Sequence, residues 1–401
     1  MKKILALFAY ADYNKGDSAI CLGADKLLKR LYPDAEVHFA HFLEEGHAYT
    51  RQAEQFYQDN GIRTIHIPNR KKSKSTKLTS LFGFTNNAFK DFYNEQNFDL
   101  VVSVGGHFLF SKDESLEMKV RNKLRLLEIY EPIIEAKKQK IKTGILCQSI
   151  GPFNKKDRVI DSIFSSLDFI ITRESNSLKD VNEKYNNALG AIDLAYYMNI
   201  SLSEVNPVRA VVDSDYVVLN MRKVLASGGY EVSDELYEKQ FSYFKEITNE
   251  FLNKGLKVLL LSQVGSYDSG NAEVDTKIHT DFKGLYFKNN SNVILDNKIY
   301  SESELLRIYK DARGLVSTRY HGLIFCIIAG GNPIGVNIEG IGHKLTGMFA
   351  DLKLNEQVIL LNEQDIRLAS DITTSAIERP KKYDAIHYVE SNFIKMKNYL
   401  S

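Results

Sequence analysis

GLVSTRYHGLIFCIIAGGNPIGVNIEGIGHKLTGMFADL, residues 314–352, sets short apolar runs against polar turns. Residues 314–316 read as a strand and the apolar run 323–329 as a buried helix. Residues 333–336 read as the next strand. Lys344 opens an amphipathic helix with Leu345, Met348, Phe349 and Leu352 on one face. Ser317, Thr318, Arg319, Tyr320, His321 and Gly322 therefore fall at a strand-to-helix turn. The first N–H groups of a helix are unpaired within it and carry partial positive charge, which suits an anion. Arg319 adds a planar fork matched to carboxylate or phosphate, and His321 exchanges a proton near neutral pH. The spacing by itself leaves two readings open, an anion site and a structural histidine.

Outward from this stretch, strands and helices alternate along the chain. In the first half, residues 4–9, 37–39, 64–67, 100–104, 142–146 and 169–172 read as strands. Helices start near Asp17, near Arg51 and near Ser115, the last running to Lys138 with a kink or break at Pro132. Helix-length connections imply parallel neighbours, hence a parallel sheet of about six strands. The helical pattern lapses over 193–207, a crossover between domains. In the second half, residues 216–220, 257–261 and 293–295 read as strands, 233–253 and 303–312 as helices, and 262–277 as a polar loop. Residues 381–400 read as a terminal helix, and the cationic stretch 69–77, NRKKSKSTK, as a loop. The expected organisation is a first domain over 1–198, a second over 199–378, and a segment 379–401 crossing back to the first. Two Rossmann-like parallel-sheet α/β domains of this kind are expected to face each other across a cleft, with ligands at the strand carboxyl ends.

Informative polar residues come directly after the expected strands. Asn14 and Asp17 come after the first, Gly105, Gly106 and His107 after the fourth, Gln148 after the fifth, and Arg173 with Glu174 after the sixth. Arg222 comes after the first strand of the second domain. Asp17 reads equally as a helix cap, Arg173 with Glu174 as a salt bridge. Gly105-Gly106 lets backbone approach a ligand, but lacks the G-x-G-x-x-G spacing of a dinucleotide fold. His107 is a candidate base. Arg222, Arg319 and His321 together suit a small ligand with several negative charges.

Composition bounds the rest. The 401 residues suffice for two cored domains, and 44% hydrophobic with 26% charged residues is ordinary for a soluble protein. A net charge of +1 argues against a nucleic-acid surface. The three cysteines lack metal-ligand spacing, so neither a disulfide framework nor a zinc site is expected, and no metal or cofactor. The apolar start, MKKILALFAYA, reads as a first strand, and no run reaches the ~18 apolar residues of a membrane span. The expected location is the cytoplasm.

RYHGLIFCIIAGGNPIGV with Lys344 and FADLKL resembles the carboxy-terminal signature of the polysaccharide pyruvyl transferase family. NKGDSAI at 14–20, SVGGHFLF at 103–110, QSIGPF at 148–153 and TRESNSL at 172–178 match that family in the same order. His107 stands where the family often has a third glycine, and Cys147 where it often has glycine. The resemblance implies a GT-B-like fold and transfer of a pyruvyl group from phosphoenolpyruvate to two hydroxyls of a sugar or lipid-linked oligosaccharide. For that chemistry the expected roles are Arg319 and Arg222 as anion clamps, His321 as proton donor or phosphate partner, and Lys344 assisting the leaving phosphate. Asp17, Gly106 and His107 would lie on the acceptor side, with peripheral membrane contact only through the acceptor. Two rivals stay open: a glycosyltransferase of the same architecture using a nucleotide-sugar donor, and a non-catalytic sugar-phosphate binding protein.

Overall fold

The computed structural model describes residues 1–9, 13–41, 48–68, 87–111, 116–153, 158–222, 234–265, 275–338, 343–381 and 383–401. The loop expected at 69–77 and most of the polar stretch 262–277 lie outside them. Two compact α/β units emerge. The first comprises Met1–Asp12, Ile20–Met198 and Ser391–Ser401, the second Tyr13–Ala19 and Asn199–Glu390.

The first unit is built on strands whose residues are buried on both faces, as a sheet covered by helices requires. Its strands are β1 (Lys3–Ala9), β2 (Glu36–His41), β3 (Arg63–Ile65), β4 (Leu100–Val104), β5 (His107–Leu109), β6 (Lys142–Ile150), β7 (Phe169–Thr172) and β8 (Ala188–Gly190). They run parallel in the order β3-β2-β1-β4-β6-β7-β8, with β5 paired to β6 beyond β4. The sheet thus has eight strands where about six were expected. The two additions, β5 and β8, are three residues each and carry no alternation to announce them. Helix Leu116–Lys138 continues through Pro132 without a break, contrary to the broken alternative. Its Ile133 and Ala136 are fully buried in the same apolar cluster as Leu126 and Tyr130, so packing holds the segment helical past the missing N–H.

The second unit holds β9 (Tyr216–Asn220), β10 (Lys257–Leu261), β11 (Val293–Asp296), β12 (Gly314–Ser317), β13 (Pro333–Asn337) and β14 (Val358–Leu360). All are parallel, in the order β11-β10-β9-β12-β13-β14. The chain winds one way from β9 to β11 and the other way from β12 to β14. The reversal between β9 and β12 is the crevice where open α/β sheets bind ligands. Helix Asp275–Tyr286 starts inside the stretch expected as loop. It is held by buried Ile278, His279 and Phe282, a stripe hidden in the sequence by polar neighbours. Helix Ile366–Glu378 was likewise not anticipated. The terminal helix is Ala385–Leu400, and residues 391–401 belong to the first unit, where Met396 is buried 3.7 Å from the Cys147 sulfur. Among the described residues no helix is long and apolar enough to cross a membrane.

Candidate functional site

At the switch point of the second unit, β9 and β12 pair with Asn220 opposite Ser317. Short polar bonds fix the chain just beyond that pair. The Thr318 N–H donates to the Asn220 carbonyl at 3.1 Å, and the Arg222 N–H to Thr318 Oγ1 at 2.7 Å. Ser317 Oγ donates to Asn220 Oδ1 at 3.2 Å and accepts from the Arg319 N–H at 2.8 Å. Arg222 and Arg319 therefore each leave the sheet two residues beyond a paired position, on strands ~4.8 Å apart. Arg319 is the N-cap of helix Tyr320–Ile328, with extended backbone at φ −91° and ψ 117°, and its side chain makes no capping bond. A helix N-terminus without a side-chain cap and beside two arginines favours negative charge.

Arg319 is braced from behind. Its Nε donates to Asp275 Oδ1 at 2.9 Å and its Nη2 bonds the same oxygen. Asp275 is fully buried, and its Oδ2 accepts from the Gln263 and Val264 N–H groups at 3.0 and 3.2 Å. One edge of the guanidinium is thereby fixed in plane. One turn on, buried His279 accepts the Met221 N–H on Nε2 at 2.9 Å. Burial depresses its pKa to about 4; Asp275 opposes this and Arg319 adds to it, so the ring is neutral at ordinary pH. Gln263 is also buried, and neither atom of its amide has a hydrogen-bond partner among the described residues. A Cβ on Gly322 would stand 2.9 Å from Gln263 Oε1 and 3.4 Å from Ser317 Oγ. Gly322, expected as a ligand contact, is buried, and close packing explains why a side chain does not fit there.

Residues 13–19 join this unit. Asn14 bridges Val264, the Lys15 N–H reaches the Gln263 carbonyl at 3.4 Å, and the Gly265 N–H donates to the Tyr13 carbonyl at 2.9 Å. Lys15 and Glu302, both buried, lie 3.7 Å apart, and Ser18 donates to Glu302 as well. Asn14 and Asp17 thus belong with the second unit and not on the acceptor-side domain expected for them from the sequence. Asn14 Oδ1 accepts the Gly16 N–H at 3.1 Å and its amide donates to Asp17 at 2.8 Å, so both residues shape the first turn of helix Lys15–Leu31. Gly16 lies against the imidazole of His321: a Cβ there would be 2.5 Å from His321 Cγ and nearer still to Nδ1. Lys344, in helix His343–Asp351, has its ammonium 5.8 Å from the ring centroid of Tyr320. Arg222, Arg319, His321 and Lys344 are thus associated with one end of one sheet. Lys15, Gln263, Asp275 and Glu302 extend that constellation. Their sequence neighbourhoods gave no sign of it, because their partners lie tens to hundreds of residues away.

The first unit treats its residues differently. Gly105 and Gly106 adopt φ of +54° and +76°, and a Cβ would strike Ile20 or the Phe108 ring respectively. His107 is half-buried, with Nε2 2.7 Å from the Gly151 carbonyl. Gln148 is fully buried; its amide donates to Ser103 and to the Gly105 carbonyl and accepts from Tyr130. Arg173 is buried too, bonding Ser149 Oγ and pairing with Asp193 at 2.7 Å each. Both were expected at a ligand. Each is held by internal bonds, as a buried polar group must be satisfied where it sits. Cys147 has φ of +52°, a backbone that favours glycine.

Solved structures with this fold span nearly the whole chain. S. aureus MnaA, solved with UDP, is 9% identical over 100% of this chain and 97% of that one, with a TM-score of 0.59. The UDP-GlcNAc 2-epimerase of Methanocaldococcus jannaschii is 12% identical over 94% and 92%, with a TM-score of 0.56. The Neisseria meningitidis UDP-GlcNAc 2-epimerase, bound to UDP-GlcNAc, is 10% identical over 99% and 94%, with a TM-score of 0.52. At such identities the likeness establishes the architecture alone, two parallel-sheet α/β domains of GT-B type. No curated protein matches the sequence. The model of the polysaccharide pyruvyl transferases matches residues 14–340, from the helix start beside His321 to just past β13, and the chain belongs to the polysaccharide pyruvyl transferase family.

Proposed function

We propose that this chain transfers the pyruvyl group of phosphoenolpyruvate to two hydroxyls of one sugar, forming a cyclic ketal and releasing phosphate. The observation that carries the reading is the switch point of the second unit. There Arg222 and a braced Arg319 leave adjacent strands beside a helix N-terminus without a side-chain cap, and His321 is the second residue of that helix. Phosphoenolpyruvate carries a phosphate and a carboxylate, and arginine forks recognise both.

The chemistry then runs through named groups. His321 delivers a proton to C3 of the enol, leaving oxocarbenium character at C2. The first sugar hydroxyl adds to C2 and loses its proton. The C2–O bond to phosphate breaks, and the second hydroxyl closes the ring. Of the two hydroxyl protons, one replaces that given to the new methyl group and the other leaves with phosphate. Arg319 and Arg222 hold the anionic groups throughout, with Lys344 on the departing phosphate. On the acceptor side the reading uses the rim of the first unit at Gly105, Gly106 and His107. Cytoplasmic work on a lipid-linked precursor of a surface polysaccharide accords with this donor.

The test is incubation with phosphoenolpyruvate and a lipid-linked sugar, following inorganic phosphate and the mass of the product. Stoichiometric phosphate with a ketal-bearing sugar supports the reading. Release of a nucleotide from a nucleotide-sugar overturns it in favour of glycosyl transfer, and binding without turnover overturns it in favour of a sugar-phosphate receptor.

A further inference from the structure

On the first unit, three residues distant in sequence meet at one edge of the sheet. β2 and β3 are parallel neighbours with Ala40 opposite Ile65. One residue further, His41 and His66 extend the register, and parallel neighbours in register project to the same side. Their rings stack with centroids 4.7 Å apart and planes 27° from parallel. Glu54, from helix Ala48–Asp59, reaches them both. Its Oε1 lies 3.0 Å from His66 Nε2 and 3.6 Å from His41 Nε2. The three ligand atoms fall within 4.8 Å of one another.

The His41 side chain is only 2% exposed, and its Nε2 has no hydrogen-bond partner among the described residues. The 3.6 Å approach to Glu54 is too long for one. A buried nitrogen that faces a carboxylate beside a stacked second imidazole, and has no hydrogen-bond partner among the described residues, is in a position that a cation would satisfy. The ring is held there by Tyr57, fully buried one turn after Glu54, with centroids 6.3 Å apart and planes 65° from parallel.

The geometry points to a divalent transition-metal site at His41, Glu54 and His66, suited to zinc. Zinc bonds of ~2.0–2.1 Å in a tetrahedron place neighbouring ligand atoms ~3.3 Å apart, and the two distances to Glu54 bracket that value. Two imidazoles and a carboxylate are borderline ligands that favour zinc over magnesium or calcium. Glu54 and His66 are each about one-third exposed (33% and 34%), so the ion has a path from solvent and a fourth position for water. Metal here would tie β2, β3 and helix Ala48–Asp59 together at the sheet edge. It is independent of the transfer reaction proposed above.

The experiment titrates Zn²⁺ into the chelator-stripped full-length chain by calorimetry, with Co²⁺ as a visible-absorption probe of coordination. One ion per chain is expected, with a rise in melting temperature on loading. Glu54→Gln and His66→Gln alter side chains that are about one-third exposed and should fold. Each removes a ligand, and since losing even an outer-sphere partner costs about 10–100-fold, each should weaken zinc at least about 100-fold. His41→Ala should abolish binding, and circular dichroism separates that loss from misfolding. Absence of zinc binding by the wild type overturns the assignment, as does binding of unchanged affinity in the Glu54→Gln and His66→Gln variants.

Discussion

Replacing Gly16 with alanine adds one methyl group beside His321. In an ordinary helix interior that exchange stabilises by about 0.5–1 kcal/mol, because glycine loses more backbone freedom on folding. Here the new carbon would stand 2.5 Å from His321 Cγ and 2.8 Å from its Cβ. Carbon contacts settle at ~3.5–4.0 Å, so the imidazole must retreat by about 1 Å. Overpacking of this kind costs about 1–3 kcal/mol, which outweighs the helical gain and leaves a net loss of up to ~2 kcal/mol. A reacting group displaced by ~1 Å loses about 10²-fold in rate. Gly284→Ala is the control, since that glycine is also helical but has nothing within 4 Å of a built Cβ. The assay is phosphate release at saturating phosphoenolpyruvate, with thermal melts of both variants. Gly284→Ala should melt at or above wild type with unchanged turnover, and Gly16→Ala should melt lower with turnover down about 10²-fold. Turnover of Gly16→Ala within twofold of wild type would refute the placement of His321 at the chemistry.

Arg319→Ala should weaken phosphoenolpyruvate binding by about 2–5 kcal/mol in calorimetric titration. It also leaves Asp275 buried without its cation, so the melting temperature falls as well; near-wild-type affinity removes Arg319 from the donor site. His321→Gln should hold phosphoenolpyruvate affinity within a few-fold while saturated turnover drops by about 10²-fold or more. The reverse pattern makes His321 a binding residue. Glu174 caps helix Ser175–Asn182 by accepting the Ser177 N–H at 2.6 Å, and burial raises its pKa from 4.5 to about 7. The unfolded chain therefore sheds this proton first, and the associated stability, complete below pH 4.5, is lost as pH rises through 7. Over that span wild type should lose about 3 kcal/mol relative to the permanently neutral Glu174→Gln; denaturant melts showing a gap independent of pH would contradict this.

The strands whose two ends are legible in the sequence sit in the middle of a sheet, whereas the edge strands expected at 64–67 and 293–295 differ at their ends from β3 and β11. Leu100–Val104, Phe169–Thr172, Tyr216–Asn220 and Lys257–Leu261 are apolar runs bounded by polar residues, and the structure places each where the run does. Three-residue pieces such as Ala188–Gly190 are too short to show a period and exist because a long neighbour offers them hydrogen bonds. The strand-to-helix turn at Arg319 was legible because its polar residues interrupt an otherwise apolar stretch. Asp275 and His279 were not, because what makes them buried is the arrangement of β9, β10 and β12 around them. His41, Glu54 and His66 are separated by a dozen residues or so and match no short spacing. Only the pairing of β2 with the edge strand β3 brings the histidines together.

The last eleven residues of the chain carry a consequence for the order of synthesis. Residues 391–401 complete the first unit: Met396 is fully buried beside Cys147, Phe393 packs under the Arg30 guanidinium, and the Tyr399 hydroxyl bonds the Asn187 carbonyl. A ribosome makes residues up to 198 first, and then needs roughly 10–40 s to reach the segment that covers them. Through that interval the nascent unit lacks the cover for Cys147 and keeps apolar surface open to water. This is a window in which a chaperone competes with aggregation, and it closes only when the final helix emerges.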